Sequence, residues 1–237
     1  MPTLAEWRAI YDDWAGRDPR LASTGHLVPD DDFARLGRAL GDWLALRGEE
    51  RALDVGCASG TLTSQWAARA GSVVGVDFSA RLAAEAAQRH ASAQLRFACA
   101  EAAALPFATA SFDRVVCFNV LLSLPDHAYA QRAIAELDRV LRPGGRLLLG
   151  SLPDERCQTR FFELLQRDRP WPQRVLGHLR NRLRPRRTSI LWFDVEALRR
   201  TFARAGWRAE LHDDPPFANY RHYRKTLVLE KPPEPRP

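Results

Sequence analysis

The chain has 237 residues, of which 46% are hydrophobic and 27% charged, and a formal net charge of +6. That length suits one large or two small domains with a sizeable core, and the usage is ordinary for a globular protein. No apolar run approaches the roughly 20 residues that span a bilayer, and the early Asp and Glu residues argue against a basic-then-apolar leader, so the expectation is a cytoplasmic protein without a transmembrane segment.

Residues 1–50 read as a helical cap, with Phe33, Leu36, Leu40, Trp43 and Leu44 at helical spacing behind the acidic start Asp30-Asp31-Asp32. Acidic residues in a first turn complement the helix dipole. From residue 51 short apolar runs alternate with helical stretches: Ala52–Val55, a helix over Leu62–Ala70, Val73–Val76, a helix over 80–91, Leu95–Ala98 and Arg114–Phe118. A helix over 127–141 should then stop at the turn Arg142-Pro143-Gly144-Gly145, before a strand at Arg146–Leu149. Continuous apolar strands separated by helices imply a parallel sheet covered on both faces.

The end of the chain is different. After a helix near 194–205, Trp207–His212 and Tyr223–Glu230 read as strands joined by a loop too short in pattern for a crossover helix, so they must pair antiparallel. The expected fold is therefore α/β: a Rossmann-like, doubly wound, mostly parallel seven-stranded sheet with its last strand antiparallel. Its divisions are a cap at 1–50, a core at 51–151, an insert at 152–190, the end of the sheet at 191–230 and a disordered tail at 231–237. Cys57, Cys99, Cys117 and Cys157 lie far apart without a C-x-x-C pair, which gives neither a zinc site nor a disulfide framework, and they are expected as buried small hydrophobes.

The segment Leu53-Asp54-Val55-Gly56-Cys57-Ala58-Ser59-Gly60-Thr61 falls where the first strand meets the first helix of the core. Small residues there let backbone approach a ligand, and the helix N-terminus offers unpaired N–H groups. Twenty-one residues after Gly56 the second strand ends in Asp77, a position from which a carboxylate takes both hydroxyls of a ribose. A dinucleotide fingerprint would need its third glycine at position 61, where Thr61 stands, and Asp54 suits a ligand bearing an ammonium group better than a pyrophosphate.

This segment resembles motif I of the class I S-adenosylmethionine (SAM)-dependent methyltransferases, D/E-x-G-x-G-x-G, with Ala58 in place of the middle glycine. Ala100-Glu101-Ala102-Ala103-Ala104-Leu105-Pro106-Phe107 is similar to the family's G-D-A-x-x-L-P-F, Ser111–Leu121 to its fourth strand, and Leu141–Leu147 to the L-K/R-P-G-G-x-L turn. The chain looks like the type 11/25-like small-molecule enzymes of that family. The resemblance implies SAM as cofactor, held by Asp54, Gly56, Ala58, Gly60, Asp77, Phe78, Glu101, Ala102 and Asn119. By it, Glu101 accepts from the adenine amino group and the Ala102 N–H reaches a ring nitrogen.

Methyl transfer from a sulfonium needs alignment and dryness, and a base only when the acceptor is a hydroxyl or a charged amine. His26 and His127 are the first candidates for a base; Tyr11, Trp14, His222 and Tyr223 are further candidates around the pocket. Charge is concentrated late: residues 1–150 carry 16 basic and 18 acidic side chains, residues 151–237 carry 19 and 11, and Arg156–Arg187 alone holds 10 and 2. That stretch, with Phe161, Phe162, Leu164 and Leu165 and then Val175, Leu176, Leu179 and Leu183 before Arg184-Pro185-Arg186-Arg187, reads as an acceptor-side lid for an acidic, glycan-related or natural-product intermediate. A solvated arginine face, or a peripheral membrane contact through 171–187, is the competing reading.

The expected function is transfer of a methyl group to a small-molecule acceptor. RNA or protein methylation and an inactive SAM-binding domain are the alternatives. No specific DNA substrate is expected, because Asn119 is followed by Val120-Leu121 rather than a Pro-Pro-aromatic run, and no Pro-Cys pair is present for attack on a cytosine ring.

Overall fold

The computed structural model describes residues 2–24, 29–167, 190–214 and 223–234. Three helices precede the sheet: α1 (Leu4–Trp14), α2 (Pro19–Thr24) and α3 (Asp30–Trp43). α1 opens with a reciprocal cap, in which the Glu6 N–H donates to Thr3 Oγ1 at 3.2 Å and the Thr3 N–H donates to Glu6 Oε2 at 2.7 Å. α3 begins with the three aspartates and buries Phe33, Leu36 and Leu40.

The core follows as β1 (Arg51–Val55), α4 (Thr61–Ala67), β2 (Ser72–Asp77), α5 (Ala80–His90), β3 (Leu95–Cys99), β4 (Phe112–Phe118), α6 (His127–Val140) and β5 (Leu141–Pro153). Then come α7 (Gln158–Arg167), α8 (Val195–Arg204), β6 (Arg208–Asp213) and β7 (Arg224–Glu230). The sheet order is β3-β2-β1-β4-β5-β7-β6. β1 pairs in parallel with β2 and β4, β2 with β3, and β4 with β5, whereas β7 is antiparallel to both β5 and β6. The doubly wound sheet with an antiparallel last strand is thus present as expected.

Strand residues alternate between two cores because successive side chains leave opposite faces of a sheet. Leu53, Val115, Leu147 and Leu149 pack with Ala133 and Leu137 of α6 and Phe202 of α8. Ala52, Val116 and Leu148 turn to the other face, with Leu36 and Leu40 of α3 and the fully buried Trp66 of α4. Each large side chain so buried contributes about 1.5–3 kcal/mol by removal from water, which is why the sheet reads as near-continuous apolar runs.

Several expectations need correction. The strand expected at Arg146–Leu149 begins at Leu141, directly after α6. Leu141 is fully buried and pairs with Phe112, and the register shifts by a bulge before Arg114 meets Arg146. The Pro-Gly stretch therefore ends the helix but continues as bulged strand, with the Gly144 N–H donating to the Lys231 carbonyl at 3.1 Å. α4 ends at Ala67 rather than Ala70, because Arg69 and Ala70 bond three residues back, to Trp66 and Ala67. Cys57 and Cys117 are buried, but Cys99 is exposed because it ends the edge strand β3, and Cys157 is partly exposed.

Residues 231–234 have no regular structure, yet Lys231 Nζ pairs with Asp138 at 2.7 Å. The basic stretch beyond α7, with Val175, Leu176, Leu179, Leu183, Arg184–Arg187 and the membrane contact read over 171–187, lies outside the described residues. Among the described residues no helix is long and apolar enough to cross a membrane.

Candidate active site

Strand order reverses between β1 and β4, and open α/β sheets bind ligands at the carboxyl ends of strands flanking such a point. A pocket of about 630 Å³, counted out to its open mouth, lies there; its walls include Val55 at the end of β1 with Gly56 and Ala58 beyond it, Asp77 at the end of β2 with Phe78 beyond it, Ala102 after β3 and Asn119 after β4. A narrower cavity adjoins it through Ser23, Gly56 and Phe118 and reaches Asp54.

The turn after β1 is set by backbone. Gly56 has φ +82°, and a Cβ there would stand 2.1 Å from Val120 Cγ2. The N–H groups of Gly56 and Cys57 both donate to the Val76 carbonyl, at 2.7 and 3.0 Å, which ties the turn to β2. Ala58, where the methyltransferase motif has glycine, also sits in the left-handed region, at φ +48°. That conformation costs an alanine about 1–2 kcal/mol, and its N–H is held by Asp77 Oδ2 at 2.9 Å. Gly60 faces elsewhere: at φ +73° it caps α4, and a Cβ there would be 2.7 Å from the Phe97 ring. Its place is a close packing contact of helix on sheet rather than the pocket wall.

Two buried carboxyl groups flank the turn. Asp77 receives the Ala58 and Ser79 N–H groups, one on each oxygen at 2.9 Å, and burial pushes its pKa up to about 6 against those hydrogen bonds. Asp54 receives the Thr63 hydroxyl at 2.6 Å, and burial pushes it up to about 7. Carboxyls held this far from water gain from a ligand that donates to them or brings positive charge. A ribose diol at Asp77 and an ammonium at Asp54 fit that chemistry, and the backbone cradle at Gly56 leaves the ligand room that a side chain would take.

Helix α1 borders the pocket through Leu4 and Tyr11. Arg8 Nη2 donates to Glu101 Oε1 at 2.8 Å, and its guanidinium stands 5.8 Å from the Phe78 ring centre. The Tyr11 ring packs on Phe78 at 5.6 Å and on Trp14 at 5.0 Å, and its hydroxyl lies 3.1 Å from Ser123 Oγ. The Ser79 hydroxyl donates to Asp12. Glu101 also accepts from the Tyr129 hydroxyl at 3.1 Å; burial and then the Glu101 charge push that phenol up to about 12.

At the far side Asn119, buried and at φ +61°, donates its Nδ2 to the Ser23 carbonyl at 3.3 Å and accepts from Arg224 Nη1 at 2.6 Å. Arg224 Nη1 also donates to Ser151 Oγ at 3.0 Å.

The pocket thus gathers Gly56, Ala58, Asp77, Phe78, Ala102 and Asn119 of the residues expected to hold a cofactor, with Asp54 in the adjoining cavity and Glu101 and Gly60 at its flanks. His127 is exposed at the start of α6, its ring against Phe193 at 5.5 Å, and does not line the pocket. His26 and His222 lie outside the described residues. Tyr223 is buried against Phe161 and Trp192, at 4.6 and 5.7 Å. Sequence reasoning passed over Arg8, Ser123, Tyr129, Ser151 and Arg224. The capping pair Thr3/Glu6 marked the start of α1, and hence Arg8 on its second turn, but nothing local marked the others.

Residues 53–149 match the family model of a methyltransferase domain. The chain is 31% identical over 192 residues, 70% of each protein, to the O-methyltransferase resE of Aspergillus sclerotiorum. It is 38% identical over 163 residues to the 27-O-demethylrifamycin SV methyltransferase of Amycolatopsis mediterranei, covering 63% of this chain and 59% of that one. In fold it is similar to the solved structure of the cyclase SpnF, with a TM-score of 0.67, 21% identity and 98% of each chain covered. With the glycine turn, the paired carboxyls and the strand order, these likenesses place the chain in the class I SAM-dependent methyltransferase family.

Proposed function

We propose that this protein transfers the methyl group of SAM to a hydroxyl oxygen of a small-molecule acceptor. The observation that carries the donor half is Asp77, a buried carboxyl hooked to the Ala58 N–H at the switch point of the sheet. In this reading Asp77 holds the ribose diol, Asp54 and the Gly56 turn hold the ammonium end, and Phe78, Glu101 and Ala102 hold the adenine. SAM supplies a methyl group already activated on a sulfonium. The protein's part is alignment and the exclusion of water, and α1, latched at Glu101, Ser79 and Ser123, is the element that closes the site. Oxygen is chosen over nitrogen or carbon because the relatives just described are named for O-methylation or for an O-demethyl substrate.

The test is calorimetric titration with SAM and S-adenosylhomocysteine, beside an Asp77→Ala variant and an NAD control. Micromolar binding of both sulfur ligands that collapses in the variant, with no NAD binding, is the expected result. A folded protein that binds neither sulfur ligand would overturn the reading. Transfer of a labelled methyl group to phenolic and polyketide acceptors, read by mass spectrometry as a gain on oxygen, tests the acceptor half.

A further inference from the structure

Glu101 follows β3 between two residues of the pocket wall, Ala100 and Ala102, and its side chain is 40% exposed. Its backbone is fixed on both sides. The Ala100 N–H donates to the Asp77 carbonyl at 3.0 Å, and the Ala104 N–H donates to the Glu101 carbonyl at 3.0 Å. Each carboxylate oxygen is also taken, and by a different element. Arg8 of α1 donates to Oε1 at 2.8 Å, and the Tyr129 hydroxyl of α6 donates to Oε2 at 3.1 Å. The donors lie 93 and 28 residues away along the chain, so the arrangement is made by the fold and not by pairing of neighbours on one helix.

The two holders are unlike. Tyr129 is itself a wall of the pocket, half-buried in the first turn of α6, where Asp126 accepts its N–H at 2.7 Å. Its phenol, pushed up to about 12 by burial and then by the Glu101 charge, stays a donor throughout the neutral range. Arg8 stands at the rim, its side chain 43% exposed and its guanidinium 5.8 Å from the centre of the Phe78 ring, another wall of the pocket. An ion pair this open to water is screened by salt and is worth little by itself. A carboxylate at the rim without either holder is free to swing into water. That freedom matters for selectivity, because a group that turns away from a mismatched ligand does not reject it.

We propose that Tyr129, with Arg8 in a lesser part, is a positioning residue that holds the Glu101 carboxylate as a fixed acceptor and so makes the donor site select a 6-amino purine over a 6-oxo purine. The inference rests on the methyltransferase reading, with Glu101 at the adenine, and deepens its donor half. A carboxylate only accepts. The adenine amino group donates to it, whereas hypoxanthine presents a carbonyl oxygen at the same place, so that two acceptors face each other. With both oxygens tethered, Glu101 cannot leave the rim freely to relieve that mismatch. Neither tether excludes the amino group, because each carboxylate oxygen keeps a second lone pair. Loss of the Tyr129 hydroxyl therefore weakens rejection of the wrong base more than it weakens binding of the right one.

The probes are S-adenosylhomocysteine and S-inosylhomocysteine, titrated calorimetrically into the full chain. Binding of the adenosyl ligand is a separate first arm: its failure sinks the donor reading, whereas the later arms judge only the tethering of Glu101. The natural protein should prefer the adenosyl ligand by at least about thirtyfold, the scale of a hydrogen bond to a charged group. Glu101→Gln, whose amide donates as well as accepts, should reduce the preference to about threefold or less. Tyr129→Phe should lower it to below about tenfold, chiefly by tighter binding of the inosyl ligand, with adenosyl affinity nearly unchanged. Arg8→Gln should cost less and its effect should fade in about 0.5 M salt, and Arg8→Lys should keep part of the preference. Thermal melts establish that each variant is folded. The inference is overturned if folded Tyr129→Phe keeps the full preference, if both ligands weaken in parallel in that variant, as a merely structural role requires, or if the Arg8 loss exceeds the Tyr129 loss. If Tyr129→Phe does not fold, Arg8→Gln at low salt decides: a lowered preference supports the tether, and a full preference in the folded protein overturns it.

Discussion

The two sides of the pocket are built in opposite ways. The β1–β2 side comes from one short stretch, Leu53 to Asp77, and its working parts are a backbone turn and two carboxyls pushed towards neutrality by burial. The side after β4 is assembled from Tyr11, Asn119 and Ser123, which meet only in the folded chain, with Ser151 and Arg224 hydrogen-bonded behind Asn119. A donor common to a whole family fixes backbone geometry, and such geometry repeats as a motif. An acceptor peculiar to each enzyme is met by single side chains on a shared frame.

The comparison breaks most sharply at Gly56. A Cβ there would stand 2.1 Å from Val120 Cγ2, at a φ of +82°. Left-handed strain of about 1–2 kcal/mol plus overpacking of about 1–3 predicts that Gly56→Ala loses roughly 3 kcal/mol and most donor affinity. Denaturant unfolding and a S-adenosylhomocysteine titration measure both. A variant within threefold of the natural affinity would show that backbone does not define this side.

Next in size is Asp77. Asp77→Asn keeps the shape but cannot accept on both oxygens, leaving the Ala58 or Ser79 N–H unpaired. The expected loss is about 3 kcal/mol in binding, roughly a hundredfold. Glu101→Gln, on a carboxylate shared with Arg8 and Tyr129 and partly open to water, should cost only severalfold. Equal losses at the two positions would erase the distinction drawn between buried and open donor contacts.

These sites also show what was legible in the chain. Gly56, Asp77 and Asn119 stood at strand ends that the alternation of apolar runs had already located, so fold and donor side could be read together. The bulge at Leu141–Gly145 was not visible, because a Pro-Gly-Gly sequence serves a turn or a bulged strand equally and the partner strand decides. Arg224 was invisible for a related reason: in Tyr223-Arg224-Lys225-Thr226 a buried and a solvated cation look alike until Asn119 and Ser151 are brought beside one of them. The Arg-rich stretch on which the acceptor reading rested runs largely through residues outside those described.

pH sharpens the same contrast by a smaller amount. Asp54 and Asp77 have pKa values raised on folding, to about 7 and about 6. Their contribution to stability is full below the unfolded value of about 3.9 and is lost as pH rises through those folded values. The ligand-free protein should therefore lose stability between pH 4 and 7, by at most about 1.4 kcal/mol per pH unit for each group. Binding runs the other way: the ammonium needs the Asp54 carboxylate, so S-adenosylhomocysteine should bind more tightly as pH rises to about 7 and then level off. Asp54→Asn should remove that rise near 7, and 5′-methylthioadenosine, which lacks the amino acid, should show only the Asp77 part near 6. A binding curve flat from pH 5 to 8 would sink the assignment of Asp54 to the ammonium.

The smallest effect has the opposite sign. Ala58 occupies a left-handed position that the methyltransferase motif gives to glycine, and it is held there by a single N–H bond to Asp77. Ala58→Gly removes the Cβ strain of about 1–2 kcal/mol and returns part of it as unfolded-chain entropy. A net gain of about 0.5–1 kcal/mol is expected, visible as a higher melting temperature, with donor affinity unchanged or slightly improved because the turn keeps its N–H. If Ala58→Gly instead weakens donor binding, the alanine methyl is a contact surface for the ligand, and the turn has been adapted to it rather than merely strained.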